Sequence, residues 1–471
     1  MLKNILFAAS ESTPFMKTGG LADVTGSLPQ ALNKIRENEV RVILPFYEAM
    51  DESYKKEAVR KASFEVPVGW RVQEAHLYEL EWEGVTHYFI RNEFYFGRDD
   101  VYGYFDDGER FAFFSRAVIE SFPYLDFDVD ILHAHDWQTG LAVAFAGILQ
   151  PKPGLRTVFT IHNIQHQGWM GPDAFYDVLN IGPEHFAGLE WHGMINCMKA
   201  ALHHTDKITT VSPSYAQEIR QPYYGEGLDP VLNARSADLM GIINGINTDD
   251  YNPATDPNLA EPYTTSRLKK KANKRKLQKQ LCLKDDPDIP MYSIVSRLVE
   301  QKGFHLLEHI LDEFLQENVQ VVLLGTGDTA FEQSFAYFSS RYPEKMSALL
   351  RFSEPLARQI YAASDFFIMP SKFEPCGLSQ LIALQYKTIP IVRETGGLRD
   401  TVQPYNEITG EGNGFSFANY NAHELLYSLR YSMLVYHRPE LFKPLIANVN
   451  RSRFSWKDSA ELYNGLYEEL V

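Results

Sequence analysis

Short runs of Val, Ile and Leu, each followed by a longer segment of helical period, recur along this chain and constrain its fold more than any other feature. The first half holds "NILFAAS", "VRVILP", "DILHAHD", "TVFTIHN", "KITTVS" and "GIING". The second half holds "MYSIVSRL", "VQVVLLG", "LLRFSE", "FFIMPS" and "IPIVRE". Continuous apolar runs suit parallel strands buried on both faces. Helical segments such as "GLADVTGSLPQALNKI", "GERFAFFSRAVIESF" and "GFHLLEHILDEFLQE" lie between them. Repeated βαβ units predict an α/β protein with doubly wound, Rossmann-like sheets. At 471 residues the chain is too long for one core, so two large domains are the simplest count.

One region breaks the pattern. Residues 64–96 alternate polar and apolar side chains around "EWEGV", which predicts an antiparallel hairpin inserted in the first domain. The domain break is expected within "GIINGINTDDYNP" (241–253), giving an N-terminal domain over 1–242 and a C-terminal domain over 243–455. An amphipathic helix over 456–471 closes the chain and is free to cross back to the first domain. The most hydrophilic stretch, "SRLKKKANKRKLQKQLCL" (266–283), is expected to be a solvated helix.

Charge and cysteine content exclude several functions. A net charge of −16 leaves no excess of Lys and Arg to neutralise a nucleic-acid backbone. Three cysteines, far apart and odd in number, show no metal-ligand spacing and suit a reduced, cytoplasmic compartment. "MLKNILFAASESTPF" reads as a first strand rather than a signal peptide. No apolar run approaches the ~18 residues that span a bilayer.

Ligands of open α/β sheets bind at the C-terminal ends of the strands. Almost every predicted strand here ends in residues able to do chemistry: Lys17, His135-Asp136, His162-Asn163, Asn244, Arg297 with Lys302, Phe352 with Glu354, and Glu374. This pattern fits two Rossmann-like domains facing each other across one cleft. Arg297 and Lys302 straddle a strand-to-helix turn, and a guanidinium with an ammonium can hold a diphosphate without metal. "KTGGLADV" (17–24) and "ETGGLRDTV" (394–402) each set a Gly-Gly turn before a helix, where backbone N–H groups favour anions. GxxxxGK[ST] and GxGxxG are both absent, so a Mg-nucleoside triphosphate or NAD is not indicated. The diphosphate of a sugar nucleotide is. His133 and His135 are taken to face opposite sides of their strand and are set aside as a metal pair.

"KTGGLADV", "HAHDW", "TIHN", "NGI", "SRLVEQKG" and "FEPCGLSQ…TGGLRDTV", in this order, resemble bacterial glycogen synthases and plant starch synthases over essentially the whole chain. The resemblance implies a retaining glycosyltransferase of the GT-B fold. Such an enzyme moves glucose from ADP-glucose to the non-reducing end of an α-1,4-glucan, and needs neither metal nor cofactor. It further implies residue roles. Arg297 and Lys302 match the diphosphate clamp, and Lys17 with Gly19 and Gly20 matches a loop closing over phosphate and sugar. His162 matches a catalytic histidine beside the glucose that supports positive charge at the anomeric carbon, and Glu374 matches the second catalytic position, contacting sugar hydroxyls with the N–H groups of Gly377 and Leu378 nearby; Lys17, Arg297 and Lys302 complete the catalytic set. Asp136, Asn163 and Asn244 match sugar and acceptor contacts, and Asp23 a residue near the nucleotide. Phe352 stands where the family commonly places a tyrosine against adenine. Tyr102 is a further acceptor or sugar contact. Cys376 reads as a packed residue that places Glu374 rather than as a nucleophile. Two other readings stay open: a UDP-glucose-dependent or other GT-B transferase, and a non-catalytic glucan-binding protein on the same fold.

Overall fold

The computed structural model describes residues 2–471. They form two compact units, one reaching to Gly245 and regaining Trp456–Val471, the other Ile246–Ser455.

The first unit is built on a nine-stranded sheet. Its strands are β1 (Lys3–Ala8), β2 (Asn38–Pro45), β3 (Val59–Val68), β4 (Arg71–Trp82), β5 (Val85–Arg91), β6 (Ile131–His135) and β7 (Arg156–Ile161), with β11 (Lys207–Thr210) and β12 (Leu239–Gly241). Three short strands, β8 (Trp169–Met170), β9 (Glu190–Trp191) and β10 (Met194–Asn196), make a separate small sheet. The large sheet runs β12-β11-β7-β6-β1-β2-β5-β4-β3. Every pairing from β12 to β5 is parallel. Ile5, Leu6, Phe7 and Ala8 are fully buried, as a central parallel strand with both faces covered requires. The expected hairpin is a three-stranded antiparallel meander over residues 59–91, and 93–96 is a helical turn. Its β4–β5 turn places Glu83 and Gly84 at φ +49° and +74°, the left-handed pair that matches strand twist. The last helix, Trp456–Glu468, buries Trp456, Tyr463, Leu466 and Tyr467 in this unit's core beside Phe7, Leu28 and Leu32.

The second unit has six parallel strands: β13 (Met291–Val295), β14 (Gln320–Leu324), β15 (Met346–Leu349), β16 (Phe366–Met369), β17 (Ile389–Arg393) and β18 (Phe415–Phe417). Their order, β15-β14-β13-β16-β17-β18, is that of the dinucleotide-binding Rossmann sheet. Helix Phe304–Phe314 buries Phe304, Leu307, Ile310, Leu311 and Phe314, the one-face spacing of a 3.6-residue period.

Three expectations need correction. "LLRFSE" is the exit from a strand that lies earlier, at Met346–Leu349, and "GIING" follows a strand ending at Gly241. The basic stretch is a helix, Arg267–Gln280, but it is not wholly solvated. Lys270 is buried, with its Nζ donating to the carbonyls of Tyr361, Ala362 and Tyr386 and to Thr388 Oγ1. Lys274 pairs with buried Asp365 at 2.6 Å.

Candidate active site

In an open α/β sheet the ligand crevice opens where the strand order reverses. In the first unit that point lies between β1 and β6, which are neighbours although distant in sequence. After β1 the chain passes Ser10 and Glu11 and then the turn that carries Lys17, before helix Gly20–Asn33. Glu11, only 3% exposed, holds the turn: its carboxylate accepts from the N–H and Oγ1 of Thr18 and from Gly19 N at 3.2 Å. Two donors ahead of the helix are therefore already satisfied from within the chain. Tyr102 joins them, its hydroxyl 2.7 Å from Ser10 Oγ and 3.2 Å from Glu11 Oε1. Lys17 is exposed and pairs with Asp23 at 2.7 Å, a contact of the kind worth about 0–1 kcal/mol.

At the end of β6, Asp136 takes a left-handed backbone, φ +58°, unusual for a residue with a side chain and costing about 1–3 kcal/mol where it persists. Its Oδ1 accepts from His162 N at 2.7 Å and Asn163 N at 3.4 Å, so the end of β6 grips the end of β7. Burial pushes the Asp136 carboxyl up to about 7, against the pull of those two N–H groups. The nearby negative charge of Glu11 adds to the rise. Asn163 spends its Oδ1 on Gln165 N, an Asx turn that shapes the exit of β7. Asn244 is 5% exposed, and its Oδ1 is buried without a partner, an acceptor left open in a polar site.

His133 and His135 do not face opposite sides. Residues two apart on a strand share a face, and their rings stack at 4.3 Å. His133 is fixed by Tyr467 OH at 2.7 Å and Thr160 Oγ1 at 2.6 Å, and His135 Nδ1 lies 3.0 Å from His162 Nε2. Burial holds all three imidazoles below their usual range, hence neutral.

In the second unit the order reverses between β13 and β16. Arg297, just past β13, is exposed, and its guanidinium makes no hydrogen bond or ion pair among the described residues, although its backbone carbonyl accepts from Ser296 Oγ at 3.1 Å. Lys302 follows on a short 3₁₀ turn and meets Glu374, from beyond β16, at 2.6 Å. Glu374 is 6% exposed, and its Oε2 accepts from Lys302 and from Ser371 Oγ at 3.0 Å. Gly303 (φ +73°) permits this approach, since a Cβ there would lie 2.0 Å from Pro370 O. Gly377, also at φ +73°, and Leu378 precede helix Ser379–Gln385, and Cys376 is buried beneath them. Phe352, at the exit of β15, is 87% exposed. The second Gly-Gly turn does a different job from the first. Gly396 and Gly397 press the helix start onto the backbone of Glu374–Cys376, and Gly397 N donates to Glu374 O and Pro375 O at 3.1 Å each.

Within the first unit the structure thus gathers Lys17 with Asp23, and Glu11 with Tyr102, and places Asp136 against His162 and Asn163. In the second it gathers Lys302, Glu374 and Ser371. Sequence reasoning missed Glu11, Ser371 and the role of His135. The signal for Glu11 was available: an acid directly after the first strand, ahead of a helix start whose N–H groups need acceptors.

Two Rossmann-like units, each with a polar constellation at its switch point, define a glycosyltransferase of the GT-B class. A family model described as "Starch synthase catalytic domain" matches residues 4–234, and one described as "Glycosyl transferases group 1" matches residues 267–435. The chain is 57% identical to a glycogen synthase of Oceanobacillus iheyensis, over 100% of this chain and 98% of that one. It is 49% identical to a glycogen synthase of Geobacillus stearothermophilus, covering 99% and 98%. The solved catalytic domain of starch synthase IV from Arabidopsis thaliana, bound to ADP and acarbose, superposes with a TM-score of 0.91 at 33% identity, covering 100% of this chain and 99% of that one. A sucrose-phosphate synthase from Thermosynechococcus elongatus shares the fold alone, with a TM-score of 0.62 at 17% identity over 99% of each chain. The chain belongs to the glycogen synthase and starch synthase family, hexosyltransferases that lengthen a glucan from a nucleotide-sugar donor. Among the described residues no helix is long and apolar enough to cross a membrane.

Proposed function

We propose that this chain moves glucose from ADP-glucose to the non-reducing end of an α-1,4-glucan, with retention at the anomeric carbon. The observation that carries the reading is the cation pair at the switch point of the second sheet. Arg297 is exposed with its guanidinium unpartnered, and Lys302 is held 2.6 Å from buried Glu374. Arg297 supplies a planar fork for the departing diphosphate, and Lys302 a compact charge beside it. Both act most where negative charge grows as ADP leaves, so they lower the barrier more than they tighten ground-state binding.

Glu374 uses Oε2 on Lys302 and Ser371 and keeps Oε1 for a sugar hydroxyl. Asp136, fixed from behind by backbone N–H groups, offers a second acceptor to the glucose or the glucan. Phe352 stacks on adenine without the tyrosine hydroxyl of its relatives. ADP in the plant starch synthase structure supports adenine as the base. Lys17 leaves Asp23 for a donor phosphate, an exchange that costs little because the ion pair is exposed. Retention follows by front-face displacement, in which the departing phosphate oxygen takes the proton of the acceptor 4-OH.

Labelled ADP-glucose and UDP-glucose, each with glycogen or maltooligosaccharide, test the assignment. Faster incorporation from ADP-glucose supports it, and transfer from neither donor refutes it. Glu374→Gln should slow transfer without accumulating a glucosyl-enzyme. A covalent adduct seen by mass spectrometry would contradict the front-face route.

A further inference from the structure

The column of histidines behind His162 carries information that the residue types alone do not. His135 Nδ1 and His162 Nε2 lie 3.0 Å apart, a hydrogen-bond distance between two ring nitrogens. Both rings are neutral, so a single proton sits between them and belongs to one ring. The other nitrogen of His135, Nε2, is buried and has no partner. His135 is itself fully buried, packed between Phe7 at 4.8 Å and His133 at 4.3 Å, so it cannot turn towards water. Its backbone is clamped as well: the N–H donates to Thr139 Oγ1 at 2.7 Å, and the carbonyl accepts from the same hydroxyl at 2.8 Å.

Two arrangements are open. If His162 Nε2 carries the shared proton, His135 must hold its own at Nε2, and a buried N–H then points at nothing. If His135 Nδ1 carries it, His135 Nε2 is a bare lone pair. Orphaned buried N–H groups are the rarer defect, and unfilled acceptors are better tolerated. The second arrangement is therefore favoured. It makes His162 Nε2 an acceptor and forces the remaining proton of His162 onto Nδ1 of a half-buried residue.

We propose that His135 is a positioning residue that locks His162 as the Nδ1–H tautomer, so that His162 meets the sugar as a hydrogen-bond donor. The grip is double. The end of β6 holds the His162 backbone through Asp136 Oδ1 at 2.7 Å and its ring through His135. His133, pinned by Tyr467 and Thr160, forms the floor on which His135 stacks. A donor at this place binds a sugar oxygen as charge shifts during transfer, and a ring free to change tautomer spends part of its time as an acceptor.

The inference rests on the glucosyl-transfer reading for the sugar contact, but the tautomer can be read without any transfer. Histidine labelled with 15N in the full-length wild-type protein gives the protonation of each ring nitrogen from two-bond proton correlations. The expected spectrum has His162 protonated at Nδ1 and bare at Nε2, with resonances assigned by loss in His162→Gln. His162 protonated at Nε2 would overturn the proposal even if the enzyme transfers glucose normally. Two variants supply the kinetic arm. His135→Asn keeps an N–H near the position of Nδ1 and should hold kcat within about threefold of wild type. His135→Phe keeps a packed ring without a donor and should lose about 10–100-fold in kcat with a smaller change in KM, by analogy with the loss when the orienting partner of a metal-bound histidine is removed. Equal kcat in the two variants would refute a positioning role, and a fall shared with thermal stability would identify mere packing.

Discussion

Gly396→Ala separates the two Gly-Gly turns. Gly396 has φ +45° and opens helix Gly396–Thr401 against the Glu374 backbone. A Cβ there would lie 2.0 Å from Glu374 O, where ordinary contact begins at 3.4 Å, so the helix start and the Glu374 segment must part by about 1.4 Å. The left-handed backbone costs an alanine about 1–2 kcal/mol, and overpacking adds about 1–3 kcal/mol. A loss of about 2–5 kcal/mol in the second unit corresponds to a fall in Tm of about 5–15 °C. Displacing a catalytic group by about 1 Å costs of order a hundredfold in rate, so kcat should fall by that much through Glu374. The matched control is Gly19→Ala. There φ is −153° and the nearest atom to a new Cβ is Glu11 Oε1 at 4.0 Å, so stability should be unchanged. Calorimetry and initial rates on both variants decide the matter. Wild-type Tm and kcat for Gly396→Ala, or equal damage from Gly19→Ala, would refute the assignment of a packing role to the second turn only.

Other expectations follow from the same geometry. The Asp136 carboxyl, pushed up to about 7 by burial, accepts from a hydroxyl most strongly when ionised, so kcat/KM should fall as pH drops below about 7. Asp136→Asn should remove that limb. For stability the sign is opposite: with its folded pKa above the unfolded value near 4, Asp136 stabilises at low pH, and that contribution is lost as pH rises through about 7. The advantage of Asp136→Asn in Tm should therefore be greater at pH 8 than at pH 5. Glu11→Ala leaves Thr18 N and Gly19 N without their acceptor. It should raise the KM for the donor by loosening the Lys17 turn, and wild-type kinetics would show that the turn is held otherwise.

Much of the fold was legible because parallel strands covered on both faces must be apolar throughout. Ile5–Ala8, Val321–Leu323 and Phe366–Ile368 are all at most 1% exposed, and their runs stand out in the sequence. The strand ends were legible for the converse reason, since polar residues follow each run at the C-terminal edge of its sheet. What stayed hidden depends on partners distant in sequence. The Lys-rich helix reads as solvated until Tyr361, Ala362 and Tyr386 supply carbonyls to Lys270. "LLRFSE" looks like a strand by composition, yet pairing with β14 selects Met346–Leu349 instead. The two "TGG" strings look alike, but Gly19 faces a carboxylate and Gly396 a backbone carbonyl, a distinction no local pattern encodes. The stacked histidines share a face because residues two apart on a strand do, and their partners, Tyr467 for His133 and His162 for His135, are distant in sequence.

The central claim is that the cations at the end of β13 act on the leaving diphosphate. Arg297 is the place to test it, because truncation there breaks no hydrogen bond or ion pair of the resting protein. With ADP-glucose and glycogen, Arg297→Leu should keep its Tm within about 1 °C and lose about 10²–10³ in kcat, with KM for the donor changing far less. Wild-type kcat in a stably folded Arg297→Leu, or a loss confined to KM, would contradict the account.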